Sequence, residues 1–226
     1  MIGRVVLVLA MVLAAPVAQA GLYRHSVSYE VKLPADAEKT GQAEGQGTYS
    51  LIRSCQGWTV GEVYQFGIDK GAPAGSKLGP QADRLEERLT ATESLDATQL
   101  AYQTRLRLNA RISNATVKAT LGADGGKLRA DLGSHIQASD LPAGTLPPEQ
   151  VIPTALPKEL RTSTKDFVKG RTFAVRRRVG DFNEFGDEFW LLHESGVILR
   201  RLIKRQNVAL LLEAREVTLF PPPKCD

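Results

Sequence analysis

The chain has 226 residues, with 29 Lys and Arg against 25 Asp and Glu and a formal net charge of +4. It is long enough to bury a substantial core within one all-β domain. The positive excess is too mild, and too scattered, to mark a nucleic-acid binder.

Arg4 is the only charged residue among the first twenty. The apolar run Val5 to Ala15 follows, then Pro16 and the small-residue pattern Ala18-Gln19-Ala20. This is the layout of a cleavable secretory leader, and the apolar run is about half of what a bilayer-spanning helix requires. The expectation is a signal peptide over 1–20, cleavage after Ala20, and a mature chain over 21–226 forming one domain in the periplasm. No cysteine stands near the cut, so no lipid anchor is expected there.

From Tyr23 to Leu33 apolar and polar residues alternate, with Tyr23, His25, Val27, Tyr29, Val31 and Leu33 on one face. Period two predicts a half-buried strand. Residues 36–46 are polar and glycine-bearing and read as a connection. Gly47 to Cys55 and Trp58 to Ile68 read as a hairpin turning at Gln56-Gly57. Residues 71–83 carry Gly, Pro and Ser and read as an exposed loop. Arg84 to Glu93 is rich in helix-favouring residues but is short, uncapped and flanked by strand patterns, so a strand is expected. Leu100 to Ile112 alternates, and Val117, Ala119 and Leu121 continue the period to a turn at Gly122 to Gly126. Leu128 to Ile136 is a weaker strand pattern.

The run from Leu141 to Leu160 holds five prolines among regularly spaced apolar residues. It reads as a packed crossover with one or two helical turns, Pro148 suiting a helix start and Pro153 a stop. Strands resume over Phe167 to Val179, Glu188 to Glu194, Gly196 to Lys204 and Val208 to Phe220. Arg176-Arg177-Arg178 and Arg200-Arg201 read as solvated charged clusters, with contact to anionic lipid or lipopolysaccharide phosphate as the functional alternative. The fold class expected is all-β, mainly antiparallel, as an open spiral or broken β-barrel with one or two short helices.

Two cysteines, Cys55 and Cys225, are both in the exported portion. An oxidising compartment favours their pairing, and the absence of a C-x-x-C motif argues against a redox catalyst. The bond would clasp the last strand to an early one.

Motifs for chemistry are sparse. No G-x-S-x-G occurs, and Ser195 before Gly196 sits in turn context, which suits no nucleophile elbow. No H-x-H, H-x₃-H or C-x₂-C spacing offers metal ligands, and no phosphate-cradling glycine loop precedes a helix. No catalytic residue, metal or cofactor is expected. Tyr23, His25, Tyr29, Tyr49, Trp58 and Trp190 are the candidates for the inner face of a curved sheet, either lining a ligand site or packing a core.

Several segments together resemble the EipB-like family of alphaproteobacterial periplasmic cell-envelope-integrity proteins. They are Tyr23-Arg24-His25 with Val27 and Tyr29, Gly47 and Tyr49 leading to Cys55 and Gly57-Trp58, and Glu93-Ser94 with Asp96. Asp140 to Thr145 follows, then Trp190 through Glu194-Ser195-Gly196-Val197, then the terminal Cys225. The resemblance implies a β-spiral closed by one disulfide and a non-enzymatic role in envelope integrity. Partners would be other periplasmic or envelope proteins, or lipid or peptidoglycan components. A periplasmic lipid or glycolipid carrier is the alternative.

Overall fold

The alternation of apolar and polar side chains becomes strand after strand. The computed structural model describes residues 23–34, 41–73, 76–143, 151–160, 170–181, 184–205 and 208–225, with the backbone alone for 151–153, 177–181, 184–187, 205 and 208. The expected leader over 1–20 and the helix start expected at Pro148 lie outside these residues.

The strands are β1 (Arg24–Lys32), β2 (Gln42–Arg53), β3 (Gly57–Asp69), β4 (Asp83–Ser94), β5 (Gln99–Leu108), β6 (Arg111–Gly122) and β7 (Gly125–Asp131). They continue as β8 (Ile136–Leu141), β9 (Val151–Pro153), β10 (Thr172–Asp181), β11 (Glu184–His193), β12 (Ile198–Arg205) and β13 (Val208–Phe220). They form one sheet in the order β8-β7-β6-β5-β4-β3-β2-β1-β13-β12-β11-β10-β9, and each adjacent pair is antiparallel. The chain meanders outward from β1 to β8 and inward from β9 to β13. The two arms meet where the first strand pairs with the last, from Arg24 opposite Phe220 to Lys32 opposite Leu211. β8 and β9 are the sheet's two edges, so the barrel is unclosed.

The sheet curls strongly. Tyr29 on β1 donates its hydroxyl to the Ile198 carbonyl on β12 at 2.8 Å, although β13 lies between those strands. β1 buries every second residue, His25, Val27, Tyr29 and Val31, on the concave face. The arm β10–β13 has a second layer on its convex face. Residues 154–160 cross there and end in a 3-10 turn, Lys158–Leu160. Leu160 is buried in one cluster with Leu191, Leu202 and Leu211, and Leu156 packs against it. Lys204 bonds the Glu159 carboxylate at 3.0 Å and Arg200 the Glu159 carbonyl at 3.3 Å. The proline-rich crossover is therefore a packed cover, as its apolar spacing implies.

Several boundaries differ from the sequence expectation. Residues 42–46, expected in a connection, open β2. The single strand expected from Leu100 to Ile112 is a hairpin, broken at Asn109-Ala110, where Asn109 takes φ 54°. Asn tolerates the left-handed region that such a turn demands. Leu128 to Ile136 is likewise split, with β7 and β8 on either side of a turn closed by Leu132 N–H to the His135 carbonyl. Pro153 sits in β9, an edge strand, where a missing N–H is tolerated. Cys55 lies in the β2–β3 turn, not in a strand; Ser54 N–H bonds the Gly57 carbonyl across it at 2.8 Å. Cys55 is bonded to Cys225 across a sequence separation of 170, with Cα atoms 5.5 Å apart. Nearby, Arg24 Nη1 donates to the Pro221 carbonyl at 2.7 Å, holding the same tail to β1.

Candidate functional site

The concave face divides into a sealed half and an open half. In the sealed half, strand alternation places charged side chains where apolar ones are expected. Arg201 follows Leu199 and precedes Ile203 on the concave side of β12, and it is only 7% exposed. Its guanidinium meets Glu188 of β11 through two bonds, at 3.0 and 3.1 Å. It then reaches across the lumen to β3, donating to Glu62 at 2.9 Å and to the Tyr64 hydroxyl at 2.6 Å. Trp190 Nε1 donates to Glu188 at 3.2 Å, and the guanidinium lies over the rings of Tyr64 and Trp190.

β3 and β12 are separated in the sheet by β2, β1 and β13. The Arg201 cluster is thus a strut across the interior. Burial works against the guanidinium charge, but Glu62, Tyr64 and Glu188 outweigh it and hold Arg201 cationic well beyond the usual range. Burial pushes the Tyr64 and Tyr29 phenols well above 10.0, with Arg201 opposing the shift. Both remain neutral, Tyr29 donating to the Ile198 carbonyl and Tyr64 accepting from Arg201. Gly47 stands opposite Tyr64 in the register, and a Cβ there would lie 2.3 Å from the Tyr64 ring. Its missing side chain is the space in which the ring lies.

Arg200 and Arg201, read in the sequence as a solvated cluster, are both buried, Arg200 at 2% exposure. They point to opposite faces: Arg200 pairs on the convex side with Glu213, which Lys32 also meets at 2.5 Å. The expectation of a solvated pair available to lipid is corrected. A charge at an inward position of an apolar alternation was the signal, both at Arg201 and at Glu62 between Val60 and Tyr64.

Of the six residues expected on the inner face, five lie on it. His25 is fully buried, its ring stacked on Tyr49 with centroids 5.6 Å apart and Nδ1 2.7 Å from the Tyr23 carbonyl. Burial lowers its pKa below 6.5, against the pull of that carbonyl. Tyr29 and Trp190 are buried; Tyr49 is half-buried against both apolar clusters. Trp58 is half-buried at the rim, under the Arg53 guanidinium. Tyr23 does not join them: it is 52% exposed, and its backbone N–H ties to the Ser195 carbonyl at 3.1 Å.

Ser195 and His193 are the one sequence-adjacent hydroxyl–imidazole pair in this region. Ser195 Oγ and Ser195 N–H both reach His193 Nδ1, at 2.7 and 3.1 Å. Both residues are buried, His193 at the end of β11 and Ser195 in the turn that follows, and the bonds serve that turn. Among the described residues no group of three or more His, Cys, Asp or Glu side chains is placed to hold a metal.

The open half is β4–β8. Its concave side chains include Leu89, Leu100, Tyr102, Leu106, Val117 and Leu128, which are half-buried where those of β1 and of β13 from Leu210 to Ala214 are sealed. The strip abuts the strut, because Leu89 stands opposite Glu62 in the register. On the convex side, residues 77–83 lean over β3 and bound an open groove of about 1430 Å³, mixed in charge, with Arg84, Glu86 and Arg107 in its lining.

No family model matches the chain, and no curated protein matches it. Among solved structures it is similar to the crystal structure of a beta-barrel-like protein of domain of unknown function DUF1849 from Brucella abortus. The TM-score is 0.65 at 12% identity, covering 88% of this chain and 99% of that one. At that identity the likeness is one of fold, and it places this chain among the beta-barrel-like architectures with an unclosed antiparallel sheet.

Proposed function

We propose that the protein is a non-enzymatic periplasmic protein that maintains cell-envelope integrity by binding an envelope protein or envelope component on the concave face of β4–β8. The observation that carries this reading is the contrast between the two halves of one face. β1 buries its inward side chains, as do Leu199 and Arg201 on β12 and Leu210, Leu212 and Ala214 on β13, whereas β4–β8 leaves Leu89, Leu100, Tyr102, Leu106, Val117 and Leu128 half-exposed on the same face. Contiguous apolar surface left accessible beside a sealed core favours a binding role. The leader pattern and the Cys55–Cys225 bond support export, and the beta-barrel-like neighbour from an alphaproteobacterium supports the family resemblance.

Deleting the gene and challenging cells with detergent and cell-wall antibiotics tests the physiological role; survival equal to the parent under every stress overturns it. Replacing Leu106 and Val117 by Gln, which leaves the sealed half untouched, is expected to reproduce the deletion phenotype. A lipid or glycolipid carrier is the second reading, favoured by the aliphatic strip ending at a polar strut. Native mass spectrometry of protein purified from the periplasm decides it: a bound acyl ligand supports the carrier, and a consistently ligand-free mass removes it.

A further inference from the structure

The convex side of β4–β8 has a different character from its concave side, and its net positive charge is as large as that of the whole chain. Strand alternation sends Arg84 and Arg88 of β4, Arg105 and Arg107 of β5, Lys118 of β6, and Lys127 and Arg129 of β7 to this face, all exposed. Three carboxylates share the face, Glu86, Asp131 and Asp140, leaving an excess of four positive charges. The whole chain has a formal net charge of +4, so the remainder is close to balanced. Further acidic residues, Asp83, Asp96 and Asp124, sit at strand starts and hairpin turns, away from the middle of the face.

The cations are not arranged for stability. Arg88 stands directly opposite Arg105, and Lys118 directly opposite Arg129. Like charges at directly opposed positions destabilise a sheet. Arg88 is relieved by Glu86 on its own strand at 2.8 Å, and Arg107 and Lys127 face Glu86 and Asp140 in the register; no carboxylate stands directly opposite Arg105, Lys118 or Arg129. Exposed aliphatic side chains lie among them: Ile112 at 52%, Ile136 at 55% and Val63 at 37% exposure. Ile112 is directly opposite Arg107, and Val63 is in the Arg88–Arg105 row. No aromatic side chain lies on this face, so stacking on sugars or bases is not on offer.

We infer that the convex face of β4–β8 docks on an anionic lipid bilayer surface, its cations meeting headgroup phosphates and Ile112 and Ile136 entering the headgroup boundary. Five strands of this length present roughly 20 by 35 Å, an extended array suited to a two-dimensional field of charge. An exposed aliphatic beside cations, as Ile112 is beside Arg107, is the combination that lipid interfaces select; Ile136, at the edge of the array, stands opposite Asp131. This surface is the reverse of the concave binding face, and the inference stands without that reading.

The test is co-sedimentation of the mature protein with vesicles of phosphatidylcholine alone and of phosphatidylcholine with phosphatidylglycerol, at low and raised salt. Binding is expected only to the anionic vesicles and is expected to fall as salt shortens the Debye length. Each cation removed should weaken partition about fivefold, so Arg88→Gln with Arg105→Gln costs about 25-fold. The same pair should leave the thermal midpoint unchanged or raise it, since a repulsive cross-strand pair is gone. Ile112→Ser should weaken binding without altering its salt dependence. Lys70→Gln with Lys224→Gln removes equal charge elsewhere and should change partition less than twofold. Equal binding to both vesicle types, no binding to either, or equal losses from the two double variants overturns the inference. Retention by a protein partner with no response to phosphatidylglycerol also overturns it.

Discussion

Arg201→Met tests whether the lumen strut holds the curl of the sheet. The substitution keeps side-chain volume near that of the original and removes a cation bonded to both Glu62 and Glu188. Both carboxylates are almost fully buried, and removing one partner of a buried ion pair costs about 3–5 kcal/mol because the other charge is left uncompensated. A domain of this kind has roughly 5–15 kcal/mol in total, so the loss is a large fraction. With a slope near 2 kcal/mol/M the urea midpoint should fall by roughly 2 M. Trp190 bonds Glu188 inside the cluster, so tryptophan fluorescence reports the change where it occurs. Arg201→Lys keeps the charge but not the forked geometry and should fall between the two. The triple variant with Glu62→Gln and Glu188→Gln should recover most of the stability, since its interior holds no uncompensated charge. A loss under about 1 kcal/mol for Arg201→Met, or a triple variant no better than the single, refutes the strut.

Reducing the Cys55–Cys225 bond, or replacing both residues by Ser, frees a loop of about 170 residues. The chain-entropy estimate is a loss of up to about 5 kcal/mol, read as a lower denaturant midpoint; an unchanged midpoint removes the clasp role. His25 titrates with its pKa lowered by burial. The unfolded chain therefore binds the proton first as pH falls below about 6.5, and stability declines from there down to the folded pKa, levelling below it. His25→Leu should flatten that part of the pH–stability curve, and an equal slope in both proteins would count against it. Gly47→Ala drives a methyl group into the Tyr64 ring. It should cost about 1–3 kcal/mol as the ring is pushed from Arg201, measured by the same urea titration.

Much of the fold was legible because period two is a strong signal where one face is sealed. Tyr23 to Leu33 predicted β1 to within a residue at each end, and its buried side chains from His25 onward are the ones the pattern selects. Legibility fell in β4–β8, where neither face is sealed and the pattern is diluted. There the hairpin at Asn109-Ala110 was missed, although the sequence carries its mark. The apolar positions run even through Leu106 and Leu108 and odd from Val117 to Leu121. A strand does not change parity without a turn or a bulge. Carrying the even run through the turn groups Ile112 with Leu106 and Leu108, whereas the reversal sets it opposite Arg107 on the convex side. The strut was missed for another reason. A buried ion pair looks like two surface charges until register and curl bring its strands together, and Arg201 and Glu62 are 139 residues apart.

The same asymmetry bears on where function resides. A fully closed barrel gives every strand one sealed face, and then an inward Arg201 is only a cost of burial. In this sheet β8 and β9 do not pair, so the interior has a boundary, and the strut lies along it, between the sealed β1–β13 seam and the apolar strip that starts at Leu89. By joining β3 to β12 directly, Arg201 fixes how far the sealed half curls without any contribution from β4–β8. The outer strands are thereby released from the task of closing the core. That freedom explains their composition: large apolar side chains only half-buried on the concave side, and like charges directly opposed on the convex side, two features that a strand needed for stability would not combine. Substitutions confined to β4–β8 should accordingly alter binding at constant stability, whereas substitutions at the strut should alter stability first. The separation can be measured by setting the Leu106→Gln/Val117→Gln and Arg201→Met variants side by side in urea; equal losses of midpoint in the two would refute it.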